Sequence, residues 1–287
     1  MRTGTALPQS ARVPSRELAT LVALVAGLAV AFVVAPPRLA ASAQTADLAD
    51  QGHLAAAFRT ALVGYWRSGD RNYLPALQRV VDYWFRFHLF KGGIAALLLI
   101  VLVALAVLLW RTTMRADALG MRSRVALASA GTAVPLLALF ALAVVMANIQ
   151  GAVAPFASLL PLLMDDKLDP GLAGTLVQAR QQLTDSHQTS GYTPPALDAM
   201  VSDFTRYHVE MAVAAAVVVV ALLSLSVVFW RSFARVGSAN RRTRRVLGWF
   251  GVFSALSSLI MVVILVANTS VAADPAPALL ALFNGEY

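Results

Sequence analysis

Two short motifs carry most of the side chains able to do chemistry. Arg86-Phe87-His88 and Arg206-Tyr207-His208 each place a guanidinium two residues before an imidazole. One imidazole from each of two facing helices is the ligand set of a bis-histidine haem b, and the arginines would suit its propionates. His88 and His208 are therefore the candidate cofactor-binding residues, for haem or for quinone-linked redox work. The competing reading is an interfacial belt, where amphipathic rings and long cations sit at lipid headgroup level. The other two imidazoles, His53 and His187, match no compact metal-ligand spacing, so no metal site is expected. The sequence contains no nucleotide-binding loop, no Ser/His/Asp arrangement, no zinc-protease helix and no paired catalytic carboxylates. No catalytic residue is assigned, and a non-enzymatic role is favoured.

Those motifs belong to a longer internal match. Sliding the chain by 120 residues aligns 75–167 with 195–287 without a gap, and 27 of the 93 pairs are identical. The match pairs Pro75 with Pro195, His88 with His208, Trp110-Arg111 with Trp230-Arg231, Asn148 with Asn268 and Pro155 with Pro275. It divides the chain into an N-terminal segment 1–43, a first repeat 44–167 and a second repeat 168–287. Copies with the same topology are related by an axis along the membrane normal, which sets equivalent residues opposite each other.

Composition says what holds the motifs. The chain is 59% hydrophobic and 13% charged, with a mean hydropathy of +0.69, outside the range of soluble domains. A hydrocarbon core about 30 Å thick needs roughly 20 apolar helical residues. Five uncharged runs approach or exceed that length, at 18–35, 92–109, 125–147, 211–229 and 246–267. The expected fold is all-α, a polytopic bundle of about five transmembrane helices containing a duplicated two-helix hairpin. Residues 18–35 precede Ala41-Ser42-Ala43, a small-x-small pattern of signal cleavage, yet the run is long enough to be a retained anchor.

The net charge of +8 is concentrated beside the spans. Arg111, Arg115, Arg122 and Arg124 lie in one short loop, and Arg231, Arg235, Arg241, Arg242, Arg244 and Arg245 in another. That placement predicts a cytoplasmic N-terminus and an extracytoplasmic C-terminus. Arg111 and Arg115, like Arg231 and Arg235, stand one helical turn apart and suit the phosphates of anionic lipid. Nucleic acid is not an expected partner, because the arginines lack interleaved aromatics. With no cysteine, thiol and disulfide chemistry are excluded.

The segments outside the membrane read as helices. One is expected over about 46–65, one near 171–185, and a long one from Tyr73 through Trp110, capped by Asn72. Thr193 is the expected cap of the matching long helix. Asn148 and Asn268, where apolar runs stop, read as helix C-terminal caps. Lys91 and Glu210 are expected to pair at the outer membrane edge. Residues 36–91 carry seven basic and four acidic groups, and 148–210 carry three and seven, so the two outer segments should dock.

The tail from Asn268 through Asp274-Pro275-Ala276-Pro277 resembles the endings of multi-pass membrane proteins from GC-rich actinobacteria. Arginine outnumbers lysine 21 to 2, a composition of GC-rich bacterial genomes that points to a plasma membrane, and the resemblance implies that lineage and no particular activity. The functional expectation is an accessory subunit or envelope scaffold, bound to membrane lipids and to a protein partner or a second copy. A haem or quinone redox protein is the alternative, and a lipid-handling protein or pore along the repeat axis the third.

Overall fold

The protein is described by a computed structural model covering residues 15–115, 121–164, 169–188, 193–238 and 240–286. It is 90% helical, with no strand among the described residues. The helices are α1 (Ser15–Ala40), α2 (Gln51–Ser68), α3 (Pro75–Arg115), α4 (Met121–Val153) and α5 (Pro155–Leu159). They continue with α6 (Pro170–Gln188), α7 (Pro195–Arg235), α8 (Arg241–Ala273) and α9 (Pro275–Asn284). Five of them, α1, α3, α4, α7 and α8, are long and apolar enough to cross a membrane. The chain is a polytopic helical membrane protein. Both ends of α3 and α7 differ by 120 residues, and so do both ends of α4 and α8.

Local chemistry explains the ends. Pro75 and Pro195 open their helices, where a missing N–H removes no intrahelical bond. The carbonyls of Leu74 and Pro194 accept the first bonds, from Gln78 N and Asp198 N, each at 2.9 Å. Neither Asn72 nor Thr193 is therefore the cap. Pro194 stands at that position in an extended conformation (ψ 140°), as a residue before proline favours. The expected single helix over 46–65 is interrupted at Asp50, which ends a 3-10 turn (Ala46–Ala49). Its carboxylate accepts from His53 N at 2.9 Å to start α2. Gly69 closes α2 at φ +68°, a left-handed conformation that glycine enters without a Cβ penalty. α1 runs past the apolar 18–35 through Pro36 and Pro37 to Ala40.

The chain forms two compact units that cut across the duplication. One comprises Met1–Val33 and Gly93–Val145, the other Val34–Gly92 and Met146–Tyr287. In the first, Leu18, Leu21 and Val25 of α1 pack on Leu102, Leu105, Leu109, Val134 and Ala141 of α3 and α4. The second contains the α7–α8 hairpin and a peripheral module with its own core. That core is an apolar stripe of α2 (Leu54, Phe58, Leu62, Tyr65) closed by Leu77, Phe156, Leu159, Leu172, Leu197 and Leu279. Residues from both repeats are fully buried there, so segments 36–91 and 148–210 do meet.

The contact is mainly apolar. Arg71 and Asp198 form an ion pair between the oppositely charged segments, and Arg59 Nε donates to Leu162 O at 2.9 Å. Arg79 pairs instead with Asp47 of its own segment at 3.3 Å. Exposed pairs contribute little, whereas each fully buried large apolar side chain contributes roughly 1.5–3 kcal/mol.

Candidate functional site

Where α3 meets α4 in the second unit, the helices come close enough to exclude side chains. A Cβ added to Gly92 would lie 3.2 Å from the Asn148 Cβ. One added to Gly151 would lie 2.6 Å from Cε1 and Nε2 of His88. The imidazole thus rests on bare α4 backbone. Trp84 and Phe87 meet it edge-on at 4.8 and 5.6 Å between ring centres, and stack on each other at 4.7 Å. Spacings of one, three and four residues on α3 bring Trp84, Phe87, His88 and Lys91 to one side of the helix. Lys91 extends over Phe87, its Nζ 5.0 Å from the ring centre.

The imidazoles have defined partners. His88 Nδ1 lies 3.1 Å from Asn148 Oδ1, and His208 Nδ1 lies 2.9 Å from Asn268 Oδ1. Asn268 Nδ2 donates to Ile264 O at 2.9 Å, which leaves its Oδ1 as acceptor and puts the hydrogen of His208 on Nδ1. In both residues Nε2 is buried and has no hydrogen-bond partner among the described residues. Phe204 and Tyr207 flank His208 at 4.7 and 5.4 Å, as Trp84 and Phe87 flank His88.

This geometry corrects one expectation directly. Asn148 and Asn268 are not helix caps. α4 and α8 continue to Val153 and Ala273, stopping only ahead of Pro155 and Pro275, and the amides face histidine. The end of an apolar run marks where hydrocarbon stops, not where the helix stops. As for haem, the ring edge of His88 bearing Nε2 faces Gly151, so an iron could reach that nitrogen only if α3 and α4 separated. The arginines also have partners within the chain. Arg86 Nε donates to Ala40 O at 3.0 Å, and Arg206 Nη1 lies 3.5 Å from Asp203 Oδ1.

Two polar links escaped sequence reasoning. Asp203 is buried on α7, where its carboxylate accepts from Ala157 N at 2.9 Å and holds the start of α5. The available signal was an acid within the apolar stripe Leu197, Met200, Phe204. Gln150 of α4 donates through Nε2 to Tyr207 O of α7 at 3.0 Å, tying one histidine region to the other. Nothing in the local pattern announces that bond. Burial of Tyr65 in the peripheral core pushes its phenol up to about 12, while its hydroxyl donates to Arg71 O at 3.1 Å.

The remaining candidates are dispersed. Glu210 follows His208 by two residues on α7. Arg111, Arg231 and Arg235 are exposed, and the side chain of Arg115 lies outside the described residues. His53 is exposed at the start of α2, and the side chain of His187 lies outside the described residues. Among the described residues, no three His, Asp or Glu side chains converge as metal ligands do. The fold and site define a helical membrane protein whose polar interior includes two matched His–Asn pairs. No protein family matches the chain, and neither the curated proteins nor the solved structures contain a significant match.

Proposed function

We propose that the chain is a non-enzymatic protein of a bacterial plasma membrane, an accessory subunit or envelope scaffold that works through its peripheral module. The carrying observation is the core of that module, in which α2, α5, α6 and α9 pack with the first turns of α3 and α7. Such a core supplies a stable surface outside the hydrocarbon. The apolar runs 92–109, 125–147, 211–229 and 246–267 meanwhile contain no ionisable residue. Proton and ion pathways are built from ionisable groups within the span, so this composition speaks against coupled transport. The arginines flanking the spans support a cytoplasmic N-terminus, an outward-facing module, and anionic lipid beneath Arg111, Arg231 and Arg235.

Co-purification from native membrane under mild extraction tests the reading. A stable, stoichiometric protein partner identified by mass spectrometry is the expected result, and a solitary monomer counts against it. A Soret band in the purified protein, abolished by His88→Ala or His208→Ala, would replace the scaffold with a redox protein. A reporter fused after Tyr287 should be active outside the cytoplasm, and cytoplasmic activity would overturn the orientation.

A further inference from the structure

We infer that His88–Asn148 and His208–Asn268 are acid-sensitive clasps, closed while the imidazoles are neutral and released when they take up a proton. The argument begins with the tautomer. Nδ1 is committed to an asparagine oxygen at 3.1 Å in one clasp and 2.9 Å in the other, so the neutral ring carries its free lone pair on Nε2. That nitrogen is buried and unpartnered in both copies. A bare lone pair in such a place is tolerated at a modest cost. An added N–H bearing positive charge demands an acceptor, and burial without one is far more costly.

Among the described residues, no acceptor stands within hydrogen-bond reach of either Nε2. Residues 147–153 of α4 and 261–273 of α8, which face the histidines, contain no ionisable side chain. On α3, the charged groups near His88 are Arg86 and Lys91, both cations. On α7, Arg206 and Asp203 are engaged with each other, Asp203 also holding Ala157 N, and Glu210 lies two residues beyond His208. At His88 the ring lies on Gly151, so a hydrated Nε2–H requires the ring or the helix to move away. The two clasps respond in the same sense and are joined through Gln150 and Tyr207 O. Imidazole is the side chain that changes charge near neutrality, which makes the pairs a sensor of acidity on their side of the membrane.

The absence of cysteine provides a clean test on the full chain. Spin labels at cysteines replacing exposed Leu89 and Ile149 report on one clasp, and those replacing exposed Val209 and Thr269 report on the other. Measured in lipid nanodiscs, both distance distributions should lengthen and broaden reversibly between about pH 7.5 and about pH 5. The double variant His88→Asn/His208→Asn retains an amide donor for each asparagine and cannot titrate, so its distributions should stay fixed. An unchanged wild type, or the same response in the double variant, overturns the proposal. Nitrogen-15 spectra of histidine-labelled protein carrying His53→Gln and His187→Gln, which leave only the two clasp imidazoles, test it independently. Nε2 should be unprotonated at neutral pH and gain its proton as the labels separate, and a proton already on Nε2 at pH 7.5 also overturns it.

Discussion

The two hairpins keep the same helix bounds and the same His–Asn pair, yet satisfy their other polar groups differently. Trp84 Nε1 in the first donates to Ser158 Oγ at 2.8 Å, and the matched positions in the second are Phe204 and Ala278. Donor and acceptor have vanished together. Ala157 presents a backbone N–H to Asp203, whereas the residue matched to Ala157 is Pro277, which has no N–H. The residue matched to Asp203 is the buried Tyr83. Gly92 and Gly151 admit close approach in the first hairpin, and Ala212 and Val271 stand at those places in the second. The comparison teaches that buried hydrogen-bonding groups change as pairs, because losing one member alone leaves a desolvated orphan.

That rule can be broken on purpose. The largest effect should come from Asp203→Ala, which strands Ala157 N–H and deprives Arg206 of its partner. A loss of about 2–4 kcal/mol is expected in a denaturant or thermal titration of the detergent-solubilised protein. Adding Ala157→Pro, the solution used by the second hairpin, should make the double variant less destabilised than the two single losses summed; strict additivity would refute the pairing. Gly151→Ala forces a methyl into the His88 ring and should cost about 1–3 kcal/mol, read as a lowered melting temperature. Val271→Ala in the second hairpin should cost less than about 1.5 kcal/mol. Trp84→Phe alone should lose about 1 kcal/mol, and much of that should return on adding Ser158→Ala. Smallest of all, Arg71→Ala or Asp198→Ala should shift stability by no more than about 1 kcal/mol, since both partners are about half exposed. A larger change would mean that charge, rather than the leucine-rich core, holds the outer segments together.

Much of the architecture was legible because hydrocarbon imposes a simple rule on composition. All five uncharged runs fall within long helices, and the proline matches at 75/195 and 155/275 mark real ends. The failures share a cause. Beside its immediate neighbours Asn148 is an amide after an apolar run, which resembles a cap. Its actual partner lies 60 residues away. The same interval separates His208 from Asn268, so the coincidence of two His-to-Asn spacings was present in the sequence as a tertiary signal. By composition Asp203 is one of seven acidic residues in its segment, and its burial follows from the helical phase of Leu197 and Phe204. Asp50 interrupts the helix expected over 46–65 because its carboxylate finds a backbone N–H more readily than a place in mid-helix.

The position of α9 has a consequence for synthesis. Leu279, Leu282 and Phe283 fill the same core as Leu48, Phe58 and Leu62, which leave the ribosome long before them. At about 5–20 residues per second, the early leucines wait on the order of 10–45 s for the helix that completes their packing. Through that interval the α2 stripe is an exposed apolar surface beside a membrane, open to lipid or to a chaperone. A chain truncated before Pro275 would keep all five long apolar helices and lack the helix that closes the module.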